Sequence, residues 1–418
     1  MQLLSDRQRI QRDIEALARF TSSPGQGVSR FSFTTEDRLA REYIKRQMSA
    51  SHLQIREDAA GTIIGRREGR RVGAPVVMIG SHFDSVRNGG AFDGPAGVVA
   101  GLEIARILDA NRLVTEYPFE FVAMIEEEGG RFGAGLFGSR AMLGKVSSAE
   151  LQNLRDRDGI NVATAMREFG FDPANIGTAF RHADEIKAFF ELHIEQGPIL
   201  EKAKIDVGLV ETVVGIDQWE IEILGRPDHA GTTPMDMRAD ALVAAAAIVQ
   251  EIYRLGKQAG AGTVATVGSL QVWPDAGNIV PGKVVFSVDI RSTAAVTIRK
   301  ISTALQKAVH DLPYRYSGIS VRITPILSVQ PTVLSATVLK ILEEESRNCG
   351  ITAQRMQSGA GHDAMIMAGL TEVGLIFVPS RDGRSHCPEE WTDYEQLQTG
   401  INLLLRAALK MAGIFVSE

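Results

Sequence analysis

The chain has 418 residues with 45 basic and 51 acidic side chains, a formal charge of -6 that excludes polyanion binding driven by overall charge and makes nucleic acid an unexpected partner. Its 44% hydrophobic and 23% charged residues are those of an ordinary globular protein, long enough for two or more domains. Only Cys349 and Cys387 are present, so no disulfide framework or cysteine zinc site is indicated, and metal chemistry would have to use histidines and carboxylates.

The segment after Met1 turns polar within a few residues and has neither the apolar stretch nor the cleavage site of a secretory signal. The longest aliphatic run, Ala241 to Val249, is about half a membrane span. The expectation is a cytoplasmic protein with no membrane contact. Ser5-Asp6 precedes Ile10, Ile14 and Leu17 at helical spacing, and Thr34-Thr35-Glu36-Asp37 precedes Leu39, Tyr43, Ile44 and Met48 in the same way. Val76 to Gly80 reads as a buried strand and Ala96 to Leu108 as a helix after the Gly94-Pro95 breaker. Phe119 to Ile125 and Ala188 to His193 read as further buried strands.

The pattern changes near residue 213. Trp219 to Leu224 alternates as a strand, Asp236 to Leu255 is an Ala-rich helix, and Val264 to Val272 and Val284 to Ile290 are strands. Val296 to Leu312 is a helix and Ile319 to Ile326 a strand, completing the order βαββαβ of a ferredoxin-like split unit. Helices over Val333 to Cys349 and Tyr394 to Met411, with a strand at Val373 to Val378 between them, resume the first style. The fold expected is α/β: a discontinuous domain with a mixed sheet and helices on both faces, residues 1–212 and 330–418, interrupted by a ferredoxin-like domain over 213–329. No internal repeat or low-complexity segment is evident.

Polar clusters lie at or just beyond the expected strand ends, where open α/β sheets bind ligands. They are Ser81 to Val86, Ala91 to Gly94, Glu126 to Gly129, Glu191 to Pro198 and Ser385 to Glu390. Together they offer three imidazoles and several carboxylates, a mixed N/O set suited to zinc, manganese, cobalt or nickel rather than calcium, with room for two metals sharing a carboxylate. On an extended segment Asp84 points the same way as His82 and can orient its imidazole. Adjacent Glu127 and Glu128 cannot point alike, so one can hold metal while the other serves as general base. Taken singly, each cluster has a plainer explanation: an acidic triplet is usually a solvated face and Asp93-Gly94 an ordinary turn. His52, His182 and His310 are assigned structural or surface roles.

These segments resemble the metal-dependent amidohydrolases of the M20 peptidase superfamily, in particular its hydantoinase/carbamoylase branch. The resemblance rests on Gly80-Ser81-His82-Phe83-Asp84, Gly89-Gly90-Ala91-Phe92-Asp93-Gly94, Glu126-Glu127-Glu128-Gly129, His193-Ile194-Glu195-Gln196-Gly197 and His229-Ala230-Gly231-Thr232-Thr233-Pro234. Asn278-Ile279-Val280-Pro281-Gly282, Asp289-Ile290-Arg291, Gly359-Ala360-Gly361-His362 and Ser385-His386 complete it, and it covers nearly the whole chain.

The resemblance implies two divalent metal ions per subunit, with Asp93 bridging, His82 and His193 completing one site and Glu128 and His386 the other. It makes Glu127 the general base and His229 an oxyanion or substrate contact. Asn278 and Arg291 become the clamp for a substrate carboxylate, and Gln196, Gly361 and His362 further substrate contacts. It implies a metal-binding catalytic domain with the inserted domain as lid and dimerisation module, hence a homodimer. The expected substrate is an N-carbamoyl-L-amino acid, with allantoate or another ureido acid next. An aminopeptidase or dipeptidase, or a catalytically silent binding protein, is less favoured. Two departures stand out: Glu126, where relatives often have Asn, is expected on a strand facing away from the base, and Cys387 follows His386 as an incidental thiol.

Overall fold

The computed structural model describes residues 3–260 and 262–414. The outermost residues of the expected discontinuous domain, 1–2 and 415–418, lie outside them. The chain divides into two compact units, Met1–Glu211 with Val333–Glu418, and Thr212–Thr332.

The first unit is built on a mixed sheet. Its strands run in the order Gln54–Glu57, Ile63–Arg67, Phe119–Met124, Val76–His82, Ile186–Ile194, Glu372–Val378, Val207–Val213 and Thr332–Val333, with Ala353–Ser358 paired to Val207–Val213. The middle four strands are mutually parallel, and Ile63–Arg67 and Val207–Val213 flank them antiparallel. Val76–His82 and Phe119–Met124 are buried at every position, so cover lies over both faces, as their largely apolar sequences require. Helix Pro95–Ala110 packs on three of the parallel strands. Fully burying Leu, Ile or Val side chains such as Ile79, Leu102 and Ile376 is worth about 1.5–3 kcal/mol each. Asp6 and Thr34 cap the first two helices, Arg7–Ala18 and Thr35–Ala50. Leu39, expected on the apolar face of the second, is 43% exposed. Apart from the two-residue Thr332–Val333, four strands of this sheet gave no signal in the sequence: Gln54–Glu57, Ile63–Arg67, Val207–Val213 and Ala353–Ser358. Three of them are short and two read as polar, so pairing partners rather than apolar pattern decide them.

The second unit is an antiparallel sheet in the order Leu270–Trp273, Lys283–Ser292, Gly215–Leu224 and Ser320–Val329. Burial alternates along its two central strands, and Trp219, Ile221, Phe286 and Val288 pack with Ile248, Ile252, Ile301 and Leu305 from helices Ala241–Ala259 and Ala295–His310.

Several expected boundaries are corrected. The helix expected from Asp236 starts at Ala241, because the Asp240 carboxylate accepts the amides of Leu242 and Val243. Arg226 donates its amide to the Ala239 carbonyl and holds the preceding segment in a bridge. The strand expected over Val264 to Val272 is two pieces, Thr263–Thr266 and Leu270–Trp273. Both pair with Lys283–Ser292, with one residue more between them than on the facing strand, a bulge at Val267–Ser269. The helix expected from Val333 begins at Ala336 under a Ser335 cap. Among the described residues no helix is long and apolar enough to cross a membrane.

Candidate metal centre

The C-terminal ends of the four parallel strands carry the polar clusters. His82 ends Val76–His82, His193 is the last but one residue of Ile186–Ile194, and Glu126 to Glu128 follow Phe119–Met124. Ser385 and His386 lie beyond Glu372–Val378. Asp93 comes from the turn that opens helix Pro95–Ala110. There Gly94 has φ of 80°, and a methyl group on it would run into the His82 imidazole. Glycine lets helix and ligand approach.

Asp93 spans the cluster. Its Oδ1 is 3.4 Å from His82 Nε2 and 3.2 Å from His193 Nε2, and its Oδ2 is 3.2 Å from His386 Nε2. His386 Nε2 is also 3.4 Å from Glu128 Oε1. One ligand atom each from His82, Asp93 and His193 lies within 4.8 Å of the others, and the same holds for Asp93, Glu128 and His386. His82, Glu127 and Glu128 form a third such group, with Glu127 Oε2 3.7 Å from His82 Nε2. The structure thus brings together all five sequence-predicted ligands and the predicted base.

The donor set fits divalent cations on its own chemistry. His193 Nδ1 lies 2.9 Å from the Ile194 carbonyl, to which it must donate, leaving a lone pair on Nε2. Among the described residues, that buried Nε2 and Glu128 Oε1 have no hydrogen-bond partner. Orphaned buried polar atoms cost about 1–3 kcal/mol each unless something satisfies them, and a cation would satisfy both. Burial opposes charge on the imidazoles, but the carboxylates win. Glu127, Asp84 and Asp93 drive His82 well above its ordinary value, and Glu128 and Asp93 push His386 up to about 11. Glu127 itself is raised, first by burial and then by Glu128, Asp363 and Asp84. This negative potential attracts positive charge.

Asp84 acts differently from expectation. His82 Nδ1 is nearer its backbone oxygen, 3.3 Å, than its carboxylate, 3.6 Å. The carboxylate instead accepts the amides of Glu127, 3.0 Å, and Glu128, 3.2 Å, and so fixes the turn that presents both glutamates. Glu126 is corrected too. It lies past the strand with φ of 52°, buried, its Oε1 accepting the amides of Arg131 and Phe132, and burial followed by the Asp84 charge pushes it up to about 7.

Gln196, expected to touch substrate, donates from Nε2 to Asp93 Oδ2 at 2.7 Å. His362 is buried edge-on against the His193 ring, centroids 4.5 Å apart, with Nε2 2.9 Å from Ser358 Oγ. Gly361 precedes it in the half-buried loop after Ala353–Ser358. Three buried carboxylates were given no individual role in the sequence reading, although Glu191 and Glu390 fall within its polar clusters. Glu191 accepts the Ser81 hydroxyl at 2.6 Å and the Ala364 amide at 2.8 Å. Asp363 is fully buried, and burial with the Glu191 charge pushes it up to about 7. Glu390 accepts the amides of Phe92 and Asp93. The available signal was Glu191, a carboxylate two residues before His193 on a buried strand and so on its face. Cys387 is half-buried and belongs to none of the candidate ligand groups.

The remaining predicted residues belong to the second unit. His229 Nδ1 accepts the amides of Gly231, 3.0 Å, and Thr232, 3.2 Å, which places its proton on Nε2. His229 pairs with Ile279 in a two-stranded ribbon, and Ala230 donates its amide to the Asn278 carbonyl, so His229 and Asn278 are neighbours. Arg291 is held side-on by Asp289, Nε to Oδ1 at 2.8 Å and Nη2 to Oδ2 at 3.0 Å, and Gln218 Nε2 donates to the same Oδ2. His52 and His310 are exposed, paired with Asp109 and with the Gln306 carbonyl.

Residues 78–410 match the family described as Peptidase family M20/M25/M40. The chain belongs to this family. As an M20/M25/M40 member it is a hydrolase, and enzymes of the family use divalent metals. It is 46% identical, over 96% of each chain, to an N-carbamoyl-L-amino-acid amidohydrolase of Paenarthrobacter aurescens. It is 33% identical to an allantoate amidohydrolase of Bacillus subtilis, over 98% of this chain and 99% of that one. A crystal structure of an amidase of the hydantoinase/carbamoylase family from Burkholderia vietnamiensis superimposes with a TM-score of 0.93 at 33% identity, covering 99% of both chains.

Proposed function

We propose that this M20/M25/M40 member is an amidohydrolase holding two divalent metal ions, and that it cleaves the carbamoyl C–N bond of N-carbamoyl-L-amino acids. The observation that carries the reading is Asp93, whose two oxygens face different ligand groups, His82 with His193 on one side and His386 with Glu128 on the other. Divalent ions held by these five side chains would lower the pKa of an attacking water and stabilise the developing oxyanion.

Glu127 takes the proton from that water as its oxygen bonds to the carbamoyl carbon, and returns it to the departing nitrogen as the C–N bond breaks. The products are the amino acid and carbamic acid, which falls apart to ammonia and carbon dioxide. Glu127 suits the task because burial and the neighbouring carboxylates raise its proton affinity above that of an ordinary glutamate. Arg291, its fork held by Asp289, and Asn278 clamp the substrate carboxylate, and His229 offers Nε2–H to the carbonyl oxygen. Gln196, Gly361 and His362 border the substrate.

We further propose that the second unit is the lid and joins two copies of the chain. Among the described residues, strand Leu270–Trp273 has a partner on one side only, and Leu270, Trp273 and Val264 along this edge are 41%, 42% and 55% exposed. The relative at 46% identity favours the carbamoyl substrate over the allantoate reading suggested by the one at 33%. The deciding experiment is ammonia release from N-carbamoyl-L-amino acids, N-carbamoyl-β-alanine and allantoate, before and after chelation and with defined metals added back. Turnover that survives complete metal removal would contradict the mechanism. A preference for allantoate would reassign the substrate.

A further inference from the structure

We infer that Glu390 is a positioning residue that locks Asp93 into its two-sided orientation, and that Ser385 carries the lock to the His386 side of the cluster. The inference rests on the proposed metal-binding role of Asp93, and neither Glu390 nor Ser385 is among the five ligands.

Glu390 is 4% exposed. Its Oε1 accepts two consecutive backbone amides, Phe92 at 3.0 Å and Asp93 at 3.1 Å, so it grips the main chain where Asp93 leaves it. Its Oε2 lies 2.6 Å from Ser385 Oγ, and the same Oγ is 2.9 Å from Asp93 Oδ2. One carboxylate therefore grips the backbone and holds Ser385 in place, with the single hydroxyl hydrogen of Ser385 within reach of both Glu390 and the outer oxygen of Asp93.

The neighbouring sequence makes room for it. A methyl group on Gly90 would overlap the Glu390 carboxylate, although the φ of Gly90 is not positive and its backbone alone does not call for glycine. Space for Glu390 is the reason a side chain is excluded there. The arrangement also joins two segments nearly 300 residues apart, Phe92-Asp93 ahead of helix Pro95–Ala110 and the loop bearing His386. With His386 48% exposed and on a loop at φ of 56°, the site needs this cross-link to keep Asp93 and His386 in register.

The test is stepwise Zn2+ titration of the metal-stripped full-length protein by calorimetry, together with melting of the metal-free form. Ser385→Ala, which removes one hydroxyl, is expected to weaken one of the two binding steps by about 10- to 100-fold and leave the other and the metal-free melting near the parent's. Glu390→Ala is expected to show at least the same loss. Glu390→Gln keeps an oxygen for the two amides and the shape of the side chain, and should recover most of it. Parent-like affinities at both steps in Ser385→Ala and Glu390→Ala overturn the inference. So does a glutamine variant as weak as the alanine one, because charge rather than position would then be at work. If Glu390→Ala does not fold, Ser385→Ala decides alone. A parent that takes up only one Zn2+ overturns the dinuclear reading itself, whereas a parent that takes up two beside variants that do the same with equal affinity overturns only the role of Glu390 and Ser385.

Discussion

Single side chains divide the chemistry between them. Glu127 and Glu128 are adjacent, yet Glu128 Oε1 faces His386 while Glu127 Oε2 faces His82, so one can bind while the other moves a proton. Glu127→Gln should keep its metal and lose about 10²–10⁴-fold in kcat, checked by metal analysis beside steady-state rates. Loss of metal together with rate would instead place Glu127 among the ligands. Arg291→Ala should lower kcat/KM about 10- to 100-fold on an N-carbamoyl amino acid, since hydrogen bonds to a charged group are worth about 1.5–3 kcal/mol. A matched N-carbamoyl amine lacking the carboxylate should be turned over as before. An equal loss on both substrates would remove Arg291 from the clamp. All these residue types were visible in the sequence. Which oxygen of Asp93 meets which imidazole was not, because a side chain's direction depends on the neighbours that grip it, here Gln196 and Ser385.

At the scale of elements, parallel strands ending at one edge gather ligands that are far apart in the chain. The turn into helix Pro95–Ala110 is the tightest junction, since Gly94 combines a left-handed backbone with contact against His82. Gly94→Ala should weaken Zn2+ binding by at least tenfold while circular dichroism still reports the parent's helix and strand content, because strain and overlap fall on a ligand rather than on the core. Parent-like affinity would show that the ring can yield. The long apolar strands and the amphipathic helices were legible because burial imposes their periodicity. Ala353–Ser358 was not, since its sequence Ala-Gln-Arg-Met-Gln-Ser shows no apolar alternation and the strand exists through pairing with Val207–Val213. The helix start after the Asp240 cap and the bulge before Leu270 were missed for a related reason: one hydrogen-bonding side chain or one extra residue moves a boundary without changing the hydrophobic pattern.

For the whole molecule, the proposed dimer is the property most open to measurement. An edge strand bearing Leu270 and Trp273 is suited to pairing with its own copy, and a charge placed there should prevent it. The full-length protein should sediment as a dimer and Leu270→Lys as a monomer with the parent's melting temperature to within a few degrees. A monomeric parent would sink the dimer reading. The two units also differ in what fixes them, a buried mixed sheet for the first and a one-sided antiparallel sheet under two helices for the second.

The amino-acid sequence by itself determined the α/β class, the position of the change in pattern near residue 213, and the polar clusters that contain the candidate ligands and base, while the assignment of roles within those clusters came from the family resemblance. Periodicity and side-chain chemistry are local properties and survive in one dimension. Only the tertiary structure decided that His82, Asp93, Glu128, His193 and His386 converge within a few ångströms, that Asp84 grips the Glu127-Glu128 turn, and that Glu390 lies beneath Asp93. Those facts depend on strand order and on hydrogen bonds between segments tens to hundreds of residues apart, and only packing chooses among the many contacts that a linear pattern permits.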